Sequence, residues 1–157
     1  MEKVYLETSV VSYLVARRSR DLIVAGRQQL TIYWWDQERG KYELYVSEAV
    51  LQEAQAGDPG EIAKRSAIVS GLSALTSTLE AERLTQLLLK TGTLPTKAAI
   101  DALHIALATV HQMDYLLTWN MKHIANAHVR KMVARIFQAQ GHKSPEICTP
   151  EELGEII

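Results

Sequence analysis

The feature that most constrains the fold is a repeated alternation of short β-prone runs with longer helical patterns. The β-prone runs are KVYL (3–6), YELYV (42–46), YLLTW (115–119) and PEIC (145–148), while ALTSTL (74–79) is a short third strand or a connector. Strands that alternate with helices form a parallel sheet covered by helices on both faces. The sequence therefore predicts one three-layer α/β/α domain over residues 1–157, with a central, mainly parallel sheet of four to five short strands.

Helical patterns and capping residues separate these strands. Helices are predicted after ETS to about residue 16, and over 21–38, 47–57, 58 to about 70, 80–90, about 97–111 and 127–140. Ser47 is predicted to be the N-cap of the third of these helices. Asp58, Pro59 and Glu61 form a capping-box-like start, because an acidic cap, a proline in the first helical position and a glutamate that reaches back are typical of helix N-termini. TPEE (149–152) predicts a second capping box that opens a terminal helix.

Composition excludes several classes of protein. Hydrophobic residues make up 47% and charged residues 22% of the 157 residues, which indicates a globular chain with a sizeable core. The net charge of -1 gives no global basic signature for nucleic acid, so such binding would need a local patch. The single Cys148 excludes an internal disulfide and a cysteine-cluster zinc site. Strand-like residues begin at Lys3, and no apolar run approaches the ~20 residues of a membrane span, so we expect a cytoplasmic protein.

Four polar side chains are predicted to meet at one edge of the sheet. Glu7 follows the first strand, Glu53 lies in the helix after the second, and Asn120 follows YLLTW. Asp101 lies in the second turn of its otherwise apolar helix if Thr96 is the N-cap. Ligands bind at the carboxyl ends of parallel strands, so we expect these four side chains to converge there.

Such a group of carboxylates has a chemical consequence. Neighbouring carboxylates repel one another unless a cation lies between them. Hard oxygen ligands favour Mg²⁺ or Mn²⁺ over zinc. A divalent ion lowers the pKa of a bound water and neutralises charge on a phosphate. The residues therefore suggest phosphodiester hydrolysis.

The order of these motifs resembles that of the PIN-domain family, the ribonuclease fold used by toxins of the VapBC type. The resemblance is carried by YLETSVVSYL, VSEAVLQEAQAGDP, DALHIALA and YLLTWNMKHIAN, and it spans nearly the whole chain. It implies a metal-dependent endoribonuclease that acts on RNA, is the toxin of a type II toxin–antitoxin pair, binds a small antitoxin protein and forms a homodimer. It also implies that Glu7, Glu53 and Asp101 hold the metal ion and that Asn120 completes the catalytic set.

The chain departs from the family pattern at two positions. Glu7 stands where the family usually has aspartate, which moves the carboxylate by roughly a bond length. Asn120 stands where many members have another acid, so the site carries less negative charge. Because of these two departures, a catalytically weakened PIN-like module that binds RNA or protein is the alternative to the nuclease.

Several of these residues also have simpler explanations. Asp101 could pair with Lys97, four residues earlier on the helix. Glu48 lies in a first helical turn, where the helix dipole favours an acid without any catalytic role. Thr8 and Ser9 either contact the metal-bound water or the substrate, or serve as an ordinary N-cap.

Histidines and arginines near these motifs have two explanations each. His104 is expected to be a core histidine or one bonded to a neighbouring acid, in preference to a metal ligand. His123 either contacts phosphate or holds its loop together. Arg17 and Arg18 lie in a basic loop that either steers RNA electrostatically or is simply solvated.

Overall fold

A five-stranded parallel sheet forms the centre of the protein. The computed structural model describes residues 1–154. The strands are β1 (Glu2–Leu6), β2 (Tyr42–Ser47), β3 (Ser73–Leu75), β4 (Tyr115–Leu117) and β5 (Glu146–Cys148). Their order is β3-β2-β1-β4-β5, and every neighbouring pair is parallel. The α/β class and the parallel sheet are thus confirmed, and each predicted strand segment contributes a strand.

Helices connect the strands and flank the sheet. They are α1 (Thr8–Val15), α2 (Leu22–Gln37), α3 (Glu48–Glu53), α4 (Pro59–Val69), α5 (Leu79–Lys90), α6 (Ala99–Val110) and α7 (Ala127–Ala139). Short 3-10 segments occupy Arg39–Lys41 and Thr96–Ala98. Within residues 1–154, no helix combines the length and the apolar character that a membrane span requires.

The two central strands are buried on both faces. Val4, Tyr5 and Leu6 of β1 have no exposed surface, and Leu116 and Leu117 of β4 are equally buried. This run of apolar residues is typical of parallel strands that lie between two layers of helices. Residues that directly follow β1 and β4 therefore emerge together at one edge of the core.

Local capping explains where several helices begin. Asp58 accepts a hydrogen bond from the backbone N–H of Glu61 at 3.1 Å, with Pro59 in the first turn, as predicted. Asn126 caps α7 through bonds from the N–H groups of His128 and Val129 at 2.9 and 3.1 Å. Each cap satisfies donors that the helix itself leaves without partners.

Two predicted helix ends are wrong. The helix over 47–57 ends at Glu53, because the chain tightens there and the Arg65 guanidinium binds the carbonyls of Ala54 and Ala56. TPEE does not open a helix within the described residues. Glu152 does accept a bond from the N–H of Thr149 at 3.0 Å, but only turns follow as far as residue 154. The rest of that prediction, residues 155–157, lies outside the described residues.

The start of α6 also differs from expectation. Thr96 is not its N-cap, because residues 96–98 form a 3-10 turn after Pro95 and the α-helix begins at Ala99. Asp101 therefore lies in the first turn of α6 and not in the second. A carboxylate in a first turn interacts favourably with the positive end of the helix dipole.

We expect the central strands to dominate stability. Leu116→Ala leaves a cavity in a fully buried strand and should lower the free energy of unfolding by about 2–5 kcal/mol. The matched control Leu79→Ala changes a side chain that is 85% exposed and should stay within about 0.5 kcal/mol of wild type. Urea unfolding measures both, and equal effects would contradict the burial described here.

Candidate active site at the carboxyl edge of the sheet

Glu7 is a buried carboxylate fixed by protein donors. Its backbone N–H extends the β1–β4 ladder by donating to the carbonyl of Leu117 at 3.0 Å, and the residue is only 5% exposed. The carboxylate accepts hydrogen bonds from the Ser9 N–H at 3.1 Å, from the Ser9 hydroxyl at 2.6 Å and from the Thr118 hydroxyl. Glu7 is itself the N-cap of α1, so the N-cap explanation for Thr8 and Ser9 is wrong.

Ser9 and Thr118 tie the ends of β1 and β4 together. The Ser9 hydroxyl donates to Glu7 and accepts from the N–H of Trp119 at 2.8 Å. The Thr118 hydroxyl donates to the same carboxylate and accepts from the N–H of Asn120 at 2.9 Å. The position of Glu7 is therefore set by two elements that lie far apart in the sequence.

Glu53 joins three helices at the same edge. It is the last residue of α3, and its side chain is 38% exposed. Its Oε1 accepts a hydrogen bond from the Thr8 hydroxyl of α1 at 2.6 Å and lies 2.6 Å from Nε2 of His104 on α6. Thr8 thus supports an acidic side chain.

His104 is a buried histidine bonded to an acid, as predicted. Its side chain is completely buried, Nε2 contacts Glu53, and Nδ1 lies 2.6 Å from the Tyr5 hydroxyl. The Tyr5 hydroxyl lies 2.7 Å from that of Ser47, which also caps α3. Both ring nitrogens therefore have partners inside the protein.

Glu7, Glu53 and His104 form a cluster of metal-binding type. One ligand atom from each lies within 4.8 Å of those of the other two, a spacing that a single ion can bridge. Within residues 1–154, no other set of three histidine, cysteine, aspartate or glutamate side chains has its ligand atoms this close together. The predicted convergence of Glu7 and Glu53 is thus present in the structure.

Asp101 stands beside this cluster, paired with another residue. It lies one helical turn before His104 on α6, and its carboxylate contacts Nδ1 of His123 at 2.9 Å. Asp101 does not form the ion pair with Lys97 that the sequence allowed, and it pairs with His123 instead.

Asn120 shapes the loop after β4. Its side-chain oxygen accepts a hydrogen bond from the N–H of His123 at 3.0 Å, and its own N–H donates to Thr118. Asn120 therefore forms the turn that carries His123 towards Asp101. A direct catalytic role for Asn120 stays a prediction.

The charges of the cluster shift two pKa values. Burial alone raises the pKa of Glu53, but the hydrogen bond and positive charge of His104 and the bond from Thr8 together lower it. Burial alone lowers the pKa of His104, but the bond to Glu53 and the charges of Glu7, Glu53 and Asp101 together raise it. Both shifts favour the charged pair, a carboxylate on Glu53 beside a protonated imidazole on His104.

The remaining predicted residues lie around this cluster. Glu48 is exposed in the first turn of α3, as the dipole explanation predicts. It lines a pocket of about 430 Å³ together with Glu53, Ile100 and Leu103. A larger depression of about 820 Å³ lies at the opposite, amino-terminal end of β4 and β5, and Glu7, Glu53 and Asp101 do not line it.

The basic loop is exposed, and one further arginine lies near the site. Arg17 and Arg18 follow α1 and are both exposed. Arg27 of α2 was not predicted, and its guanidinium lies 5.5 Å from the ring centre of Trp119, beside the turn formed by Asn120. Its position follows from how α1 and α2 pack, which no local pattern reveals.

Sequence reasoning also missed Tyr5, Ser47 and Thr118 as parts of the site. A signal existed for Tyr5, because a phenol in a wholly buried strand requires a hydrogen-bond partner. Another existed for Thr118, a polar residue at the carboxyl end of a buried strand. Ser47 was predicted only as an N-cap, which it is, but its bond to Tyr5 depends on tertiary packing.

Comparisons with known proteins support the fold. No family model and no curated protein matches the sequence. VapBC2 from Rickettsia felis, solved with a promoter DNA fragment, is 16% identical over 76% of this chain and 89% of its own, with a TM-score of 0.56. VapC20 from Mycobacterium tuberculosis, described as a Sarcin-Ricin loop cleaving toxin, is 14% identical over 79% of this chain and 95% of its own, with a TM-score of 0.59.

A third solved structure matches almost end to end. FitAcB from Neisseria gonorrhoeae is 14% identical over 96% of this chain and 99% of its own, with a TM-score of 0.58. These likenesses define the class of fold, a three-layer α/β/α domain of the PIN type. The resemblance to VapC toxins noted in the sequence motifs is thereby confirmed at the level of the fold.

We expect a divalent cation to stabilise this site. At about 100 times its dissociation constant, Mn²⁺ should raise the Tm by about 5–10 °C, because a ligand that binds only the native state shifts unfolding to higher temperature. Glu53→Gln removes a negative charge but keeps an oxygen for Thr8 and His104, and it should abolish most of that rise. Glu48→Gln, an exposed glutamate of the same helix, is the matched control and should respond like wild type. A full Mn²⁺ response in Glu53→Gln, measured by calorimetry, would exclude Glu53 as a ligand.

Proposed function

We propose that this chain is a metal-dependent endoribonuclease that hydrolyses RNA phosphodiester bonds and is the toxin of a type II toxin–antitoxin pair. The observation that carries the proposal is the meeting of Glu7, Glu53 and His104 within 4.8 Å at the carboxyl edge of the sheet, with Asp101 beside them. Parallel α/β sheets bind ligands at this edge. The fold shared with VapC proteins supports the same assignment.

The donor set fits Mg²⁺ or Mn²⁺. Glu7 and Glu53 supply hard carboxylate oxygens, which these ions prefer. The hydrogen bonds of Glu53 within the described residues all engage Oε1, so Oε2 is available to a cation on the half-exposed side. Asp101 would complete the acidic ligands predicted from the sequence.

Each residue then has a definite task. A bound divalent ion supplies an activated water and offsets negative charge on the phosphate. Glu7 and Glu53 hold the ion in a position that Ser9, Thr118 and Thr8 fix through hydrogen bonds. In place of the substrate contacts predicted for Thr8 and Ser9, we assign both hydroxyls to support of the carboxylates.

We assign substrate binding to the exposed arginines that follow α1 and to His123. The guanidinium groups of Arg17 and Arg18 attract the phosphates of RNA through long-range charge. His123 is placed beside Asp101 and is the candidate for a direct phosphate contact. A small antitoxin protein and a second copy of the chain are the proposed protein partners, as VapC-like folds suggest.

One observation favours a second candidate function, a binding module without catalysis. Asn120 adds no charge to the site, and its side-chain oxygen already accepts the hydrogen bond from the N–H of His123 that forms the turn. Asp101 is engaged with His123. A site that holds fewer available carboxylates binds a cation more weakly, which would leave RNA binding without cleavage.

An RNA cleavage assay separates the two candidates. Wild type should cut RNA in Mn²⁺ or Mg²⁺ and stop when EDTA is added. Asp101→Asn should reduce the rate by about 100-fold or more, which corresponds to losing about 3 kcal/mol of transition-state stabilisation. The matched control Asp36→Asn changes an exposed aspartate of α2 and should leave the rate unchanged.

Two outcomes of that assay would be decisive against the proposal or part of it. Cleavage that persists in a folded Asp101→Asn variant would remove Asp101 from the mechanism. A folded, metal-saturated wild type that binds varied RNAs and cuts none would establish the binding module.

We expect Arg17 and Arg18 to act through charge. The double change to glutamine should weaken binding of single-stranded RNA and reduce the slope of log K against log salt by about 1.4, or about 0.7 for each lost phosphate contact. Fluorescence anisotropy in EDTA measures this without cleavage. Replacing Lys131 and Arg135, exposed cations of α7, removes the same charge and should leave the slope unchanged. Equal slopes in both double variants would show that Arg17 and Arg18 do not contact RNA and that their loop is simply solvated.

A further inference from the structure

A chain of hydrogen bonds runs from the interior to the acidic cluster. It starts at Ser47, whose hydroxyl lies 2.7 Å from that of Tyr5, and continues from Tyr5 to Nδ1 of His104 at 2.6 Å. It ends where Nε2 of His104 meets Oε1 of Glu53 at 2.6 Å. The first three side chains have no exposed surface, so water cannot replace any of these partners.

Two arrangements of the protons in this chain place a hydrogen on Nε2 of His104. In one, Ser47 donates to Tyr5 and Tyr5 donates to Nδ1, so the neutral ring carries its proton on Nε2. In the other, the ring carries both protons, Nδ1 donates to Tyr5, and Tyr5 donates to Ser47. Glu53 is ionised when it binds a metal ion and can only accept. The third arrangement, a neutral ring protonated only on Nδ1, would set a bare Nε2 against this ionised oxygen at 2.6 Å, where two acceptors repel each other. The two arrangements that direct an Nε2–H at Glu53 are therefore favoured.

We propose that His104 is a positioning residue for Glu53 and not a ligand of the metal ion. This inference rests on the proposed metal site and deepens it. The bond from Nε2 holds Oε1 of Glu53, and Oε2 is thereby turned towards the cation. Nε2 lies within 4.8 Å of the two carboxylates, as a ligand would. In both favoured arrangements, however, a proton shared with Glu53 fills its lone pair.

Glu53 needs a positioning residue because of where it lies. It ends a helix that spans only Glu48–Glu53, and its side chain is 38% exposed. A glutamate in that position samples several rotamers unless its carboxylate is held. Outer partners that orient a metal ligand typically change metal affinity by 10–100-fold.

Two substitutions of His104 test the roles of its two ring nitrogens separately. Glutamine places its amide nitrogen near the position of Nε2, whereas asparagine places it near Nδ1. His104→Gln therefore keeps a donor for Glu53, while His104→Asn keeps the partner of Tyr5 and loses Glu53. We expect His104→Gln to bind Mn²⁺ within about threefold of wild type and His104→Asn to bind at least about 10-fold more weakly.

Titration with Mn²⁺ alone, followed by electron paramagnetic resonance, measures these affinities without any RNA. Urea unfolding of both variants reports packing separately. Equal losses of Mn²⁺ affinity in the two variants, in proportion to their loss of stability, would overturn the proposal and leave His104 a structural residue. Tyr5→Phe, which keeps the ring and removes the hydroxyl, should weaken Mn²⁺ binding in the same direction as His104→Asn.

Pulsed electron paramagnetic resonance tests the ligand question directly. We expect bound Mn²⁺ in wild type to show no nitrogen coupling from a histidine ring. A coupling that disappears in His104→Gln would overturn the proposal by making His104 a ligand, and a wild type that binds no Mn²⁺ would overturn it with the metal site. Wild type that binds Mn²⁺ with the expected order of variants but cuts no RNA would contradict the nuclease alone.

Discussion

The structure depends on how one buried carboxylate is satisfied. An ionised glutamate without partners in the interior would cost several kcal/mol, and Glu7 lies at the end of the central strand with almost no exposed surface. Ser9, which follows β1, and Thr118, which follows β4, supply its donors, so the same bonds that remove this cost join the ends of the two strands. The acidic edge is therefore part of the fold and not an addition to its surface.

Much of this arrangement could be predicted because it follows from topology. The carboxyl ends of parallel strands share one edge, so polar residues after β1 and in the helix after β2 had to approach one another, as Glu7 and Glu53 do. The sequence indicated that His104 could bond to a neighbouring acid but did not identify Glu53, because that contact depends on how α6 is rotated against the sheet. The partner of Asp101 could not be foreseen, since His123 reaches it through a turn set by Asn120.

The failed helix predictions show the limit of local patterns. TPEE forms part of the contact that a capping box requires, yet Thr149 is followed by turns to residue 154, because a cap can only favour a helix that other residues extend. At α3 the capping serine is correct, but the helix is short, since Arg65 of α4 takes the carbonyls beyond it. Both outcomes were decided by neighbours in space.

The capping role of Glu7 has a consequence for how this chain can change. A single carboxylate neutralises the positive end of the α1 dipole, completes the bonding of Ser9 and faces the position proposed for a cation. Exchange to aspartate would shorten the reach to all of these at once. The length of the Glu7 side chain thus sets where the hydroxyls of Ser9 and Thr118 find their acceptor.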